Sequence, residues 1–67
     1  MENRTKYPVD NETYDLMQAF VSKCESIEAY EKYKRDGKAE FFDKLIEDEK
    51  RHANELLKHL KQALQRF

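Results

Sequence analysis

The sequence predicts an all-α fold, an antiparallel two-helix hairpin that pairs with a second copy into a four-helix bundle. Three observations carry this. The chain has 67 residues with one Gly and one Pro, and 40% of its residues are charged, a composition that favours long helices. Apolar residues recur in steps of three and four on both sides of Gly37. A core this small is marginal alone, and the single cysteine, Cys24, excludes an internal disulfide, so a metal or a second chain is needed.

Residues 1–9 are polar and read as a flexible arm, with Tyr7 and Pro8 placed to dock on a partner hairpin. The N-terminal stretch has no apolar segment behind it, so no signal peptide is expected. Asp10 is an N-cap candidate, with Val9 and Tyr14 in the hydrophobic-staple positions and Glu12 suited to the helix dipole. The hairpin spans residues 10–67. Helix 1 is placed at about 11–35, with Leu16, Met17, Phe20, Val21, Cys24 and Ile27 as its apolar stripe. Cys24 is expected to be a small buried hydrophobe. Lys34 and Arg35 suit the last turn, and Gly37 is the natural terminator.

Helix 2 is placed at about 39–66. The short connection Asp36-Gly37-Lys38 forces the helices to fold back on each other. Its stripe is Phe42, Ile46, Ala53, Leu56, Leu57, Leu60, Leu64 and Phe67, broader than a two-helix seam requires. The pairs Glu28/Lys32, Glu40/Lys44 and Glu47/Arg51 read as a solvated, helix-supporting face. Net charge is −1 with no basic block, which argues against nucleic acid. No apolar run is long enough to span a membrane. A lone thiol without an export signal points to the cytoplasm.

Glu49 falls inside the helix-2 stripe and His52 at its edge. A carboxylate on an apolar face is costly unless something pairs with it. Spacing i,i+3 aims both side chains at one point, and carboxylate with imidazole is a donor set for divalent metals. By level along the hairpin, Glu25 lies twelve residues before Gly37 and Glu49 twelve after. By helical phase, Glu28 is nearer the inner face. Either could supply the helix-1 carboxylate.

The stretch Phe42, Glu47-Asp48-Glu49-Lys50-Arg51-His52-Ala53, Leu56-Leu57 and Leu60, with Glu25-Ser26-Ile27-Glu28-Ala29-Tyr30-Glu31-Lys32-Tyr33 before it, resembles the rubrerythrin and ferritin-like superfamily. The length is similar to the encapsulin-associated, two-helix form. The resemblance implies that Glu49 and His52 are metal ligands, with Glu25 or Glu28 from helix 1, at a di-iron centre between protomers. Manganese and zinc fit the same donors. It implies iron oxidation or handling, or reduction of peroxide or dioxygen, as in a ferroxidase or a rubrerythrin-like peroxidase. The partners implied are a second copy, as homodimer or higher homo-oligomer, and an encapsulating shell protein. The family sets a Tyr seven residues after its ligand Glu. Counting back from Tyr33 here gives Ser26, and from Tyr30 gives Lys23. The alternative is a non-catalytic hairpin that dimerises or binds a partner and has lost the metal site.

Overall fold

The computed structural model describes residues 8–67. The expected arm and the Tyr7 docking contact fall largely outside the described residues. Two helices, α1 (Asn11–Tyr33) and α2 (Ala39–Leu64), pack along their lengths, and a 3-10 turn at Lys34–Asp36 follows α1. The described residues contain no strand. The principal extents, 45 × 19 × 17 Å, are those of one antiparallel helix pair.

The start of α1 follows from its capping chemistry. Asp10 is extended, and the Thr13 amide donates to its Oδ1 at 2.9 Å. Arg66, just past the end of α2, donates to Asp10 Oδ2 at 3.0 Å and lies 3.5 Å from Glu12. The two ends of the hairpin are thus tied across the open end. Hydrogen bonding by Thr13, then the Arg66 charge, holds the Asp10 carboxyl below its ordinary value.

The turn differs from a simple glycine stop. The α-helix ends at Tyr33, two residues before the expected end, because the chain tightens into the 3-10 turn. Gly37 then adopts φ +146°, and Lys38 is left-handed at φ 57°, ψ 38°. Two consecutive positive-φ residues reverse the chain within a short connection. Gly37 takes this freely; Lys38 takes it at a cost. Lys38 precedes α2 without a side-chain capping bond. Lys34 bridges the turn, donating to Asp43 at 2.9 Å and approaching Glu31 at 3.3 Å, and these partners, Asp43 foremost, raise its pKa.

The core is thin. Among the described residues the buried apolar side chains are Ile46, Ala53, Leu60 and Ala63, all on α2. Ile46, Ala53 and Leu60 repeat every seven residues, the period of a coiled-coil seam. On α1 the expected stripe divides. Leu16, Phe20 and Ile27 turn inward and are half-buried, whereas Met17, Val21 and Cys24 are exposed on an outer row. Cys24 is therefore not the buried hydrophobe expected, because a two-helix hairpin covers only one side of each helix. Near the turn, Tyr30, Tyr33, Phe41 and Phe42 form a chain of ring contacts at 5.6–6.2 Å, with Phe42 half-buried and Phe41 exposed.

Candidate functional site

The inner row of α1 runs Leu16, Lys23, Tyr30, again seven apart. A lysine thus takes a seam position that is otherwise apolar or aromatic. On α2, Glu49 lies one turn from both Ile46 and Ala53, in the same inner stripe. Both charges sit near mid-length of their helices, and they meet. Lys23 Nζ lies 3.0 Å from Glu49 Oε1. The Glu49 side chain is only 18% exposed, Lys23 35%.

His52 follows one turn on, its Nδ1 3.6 Å from the same oxygen and its side chain 53% exposed. That contact is an ion pair only when the imidazole is protonated. The Glu49 Oε1 atom itself is enclosed and accepts no hydrogen bond within the chain. The Lys23 contact does not contradict this. Its distance is that of an ion pair, but its approach is off the line a hydrogen bond needs. Glu49 is therefore neutralised by charge while one of its oxygens remains unsatisfied.

The two helix-1 carboxylates expected as partners lie elsewhere. Glu25 and Glu28 do not meet Glu49; Glu25 is exposed, and the inner position at this level belongs to Lys23. Lys23 and Glu25 are two positions apart, a rotation of about 200° on a helix, so a chain that turns one inward turns the other away. Level along the hairpin favours Glu25; phase decides for Lys23. Ser26 is half-buried and donates its hydroxyl to the Ser22 carbonyl at 3.1 Å, a bond made within its own helix. The signal for Lys23 was present in the sequence: it stands in the Leu16–Tyr30 row as Glu49 stands in the apolar stripe of α2.

Glu49 and His52 offer donors of the right type for a divalent metal. One chain adds only an ammonium at the oxygen such an ion would bind. Among its described residues no three His, Cys, Asp or Glu side chains converge as a metal-binding group. With Lys23 in place the set does not fit a metal.

The site opens to one side. By helical phase, Leu45, Glu49, His52, Leu56 and Ala63 share a flank of α2, and Ala19, Ser26 and Tyr33 share a flank of α1. At the open end of the hairpin a cleft of about 190 Å³ lies between Glu12 and Leu16 of α1 and His59, Gln62 and Ala63 of α2. No protein-family model, curated protein or solved structure matches the chain. No helix among the described residues is long and apolar enough to cross a membrane.

Proposed function

We propose that the chain is a self-associating helical hairpin, an interaction module in which two copies pack groove to groove into a four-helix bundle. The observation that supports this best is the state of Glu49. Its Oε1 is enclosed without a hydrogen bond, and by helical phase the flank beside it carries half-buried Leu45 and Leu56 and exposed Phe41 on α2, with exposed Tyr33 on α1. Four buried apolar residues among those described, two of them alanines, are little for an independent fold. A second copy would cover the leucines and the aromatic rings and complete the core that one hairpin lacks. The small residues Ala19 and Ser26 allow close approach.

The reading is tested by sedimentation equilibrium at micromolar concentration, with Phe41→Asp and Val21→Asp compared. Phe41 lies on the proposed interface and Val21 on the outer row. A dimer that Phe41→Asp dissociates and Val21→Asp leaves intact supports it. A monomeric wild type refutes it.

A second reading has its own support in the His52 Nδ1 and the unsatisfied Glu49 oxygen, 3.6 Å apart. Here two copies would share a di-iron, manganese or zinc centre, as the ferritin-like resemblance implies, and the protein would handle iron or reduce peroxide or dioxygen. Lys23 would have to leave Glu49 first. Native mass spectrometry of protein grown with iron reports oligomer and metal count together. A metal-free dimer favours the module; one iron per chain favours the metal protein.

A further inference from the structure

We propose that Lys23 is the built-in counter-cation of the Glu49–His52 pair, and that this one residue holds the hairpin in a metal-free state. The inference deepens the dimer reading but is carried by contacts within one chain. Three observations converge. Lys23 occupies a seam position whose heptad neighbours are Leu16 and Tyr30. Its ammonium lies 3.0 Å from the Glu49 oxygen that has no hydrogen bond. His52 approaches that same oxygen from one turn further along α2.

A cation is therefore supplied where the carboxylate needs one, and it is covalently tethered. A tethered charge is present at high effective concentration. A divalent ion must displace it before using Glu49, and the two cations repel until the Lys23 stem carries its ammonium out to water. Like charges a few ångströms apart in a part-buried site repel strongly, because the effective dielectric there is well below that of water.

The converse follows from the same geometry. Lys23→Glu replaces the ammonium with a carboxylate on the seam face, opposite Glu49. Each hairpin then presents this introduced carboxylate from α1 with Glu49 and His52 from α2. Two hairpins would present a Glu from each of two helices and a Glu-x-x-His from each of the other two, the donor set of four-helix carboxylate metal sites. Without metal, the facing carboxylates should lower stability; with metal they should raise it.

The experiment is Co(II) titration of the purified full chain, wild type against K23E, K23Q and the K23E/E49Q control. Native mass spectrometry counts the metal, and thermal unfolding reports its effect on the fold. Expected are no Co(II) retained by wild type, one per chain for K23E with a raised Tm, and none for K23E/E49Q. K23Q, which removes the charge without adding a carboxylate, should bind at least tenfold more tightly than wild type, and it decides the matter if K23E fails to fold. Equal Co(II) affinity in wild type and K23Q, or a folded K23E that retains none, overturns the proposal. The K23E count presupposes two hairpins; if wild type is monomeric the dimer reading fails, and the comparison of K23Q with wild type, which rests on contacts within one chain, decides this proposal alone.

Discussion

Replacing Lys23 and Glu49 by leucine, singly and together, should give three different outcomes. Glu49→Leu removes a carboxylate that is 18% exposed and leaves Lys23, 35% exposed, whose long stem can carry the ammonium out to water. The expected change is small, between neutral and about 1 kcal/mol stabilising, since apolar surface replaces an imperfectly satisfied acid. Lys23→Leu does the reverse. It strands Glu49, whose shorter side chain cannot carry the carboxylate clear of the seam and whose Oε1 is already enclosed. Removing one partner of a fully buried pair costs about 3–5 kcal/mol. Glu49 retains some exposure and His52 nearby, so about 2 kcal/mol is expected. The double variant places leucines opposite each other in the seam and should be the most stable, by about 1–3 kcal/mol over wild type. Urea denaturation at fixed protein concentration measures all four corners of the cycle, and an unchanged m-value confirms that the same surface is exposed on unfolding. If Lys23→Leu proves no worse than Glu49→Leu, Glu49 is not the stranded group and the charge-pair reasoning fails.

Other perturbations separate local from global effects. Gly37→Ala should destabilise by about 1 kcal/mol through conformation alone, since φ is +146° and nothing lies within 4 Å of the added Cβ, whereas Lys38→Gly should stabilise by about 0.5 kcal/mol by relieving a left-handed non-glycine residue; chemical denaturation reads both. Ile46→Ala should cost about 3 kcal/mol, because Ile46 is 3% exposed in a core with few other large side chains, and a loss below about 1 kcal/mol would mean that the seam repacks. The Asp10 pKa is depressed, so its charge contributes stability above the unfolded value of about 4 and loses it as pH falls through the folded value. Wild type should therefore melt higher than Asp10→Asn at neutral pH, and that gap should close in acid; a gap constant with pH would refute the assignment.

Much of the fold was legible because it rests on local chemistry. Asp10 as the cap, the heptad row Ile46–Ala53–Leu60 and the reversal at Gly37 each follow from a few adjacent residues. Phase across the hairpin was harder to read. Met17, Val21 and Cys24 have the same apolar character as Leu16, Phe20 and Ile27, and only the position of α2 decides which row is covered. The charged pair was half legible. Glu49 stands out within a strong apolar stripe, but on α1 the stripe is weak, and Glu25 matches its level while Lys23 matches its phase. Level can be counted from the turn only if both helices start from it symmetrically. The 3-10 turn after Tyr33 and the left-handed Lys38 make the two sides of Gly37 unequal.

The placement of the pair bears on register as well as on stability. The seam of α2 would hold more tightly with leucine at position 49, as the cycle above expects, so the charges do not serve stability. They do discriminate against slipped pairings. Sliding α2 by one turn along α1 would bring Glu49 level with Phe20 or Ile27 and leave Lys23 facing Ile46 or Ala53. Glu49 would then be part-buried without its partner, at a cost of about 2 kcal/mol, and the Lys23 ammonium would have to leave the seam for water. An all-apolar heptad seam imposes no such cost, and its repeat makes a slip of one heptad nearly degenerate. A single charged layer at mid-length removes that degeneracy for the hairpin. In a dimer closed by a two-fold axis through the same level, the two layers would adjoin, and the device that sets the hairpin's register would also set the register between copies.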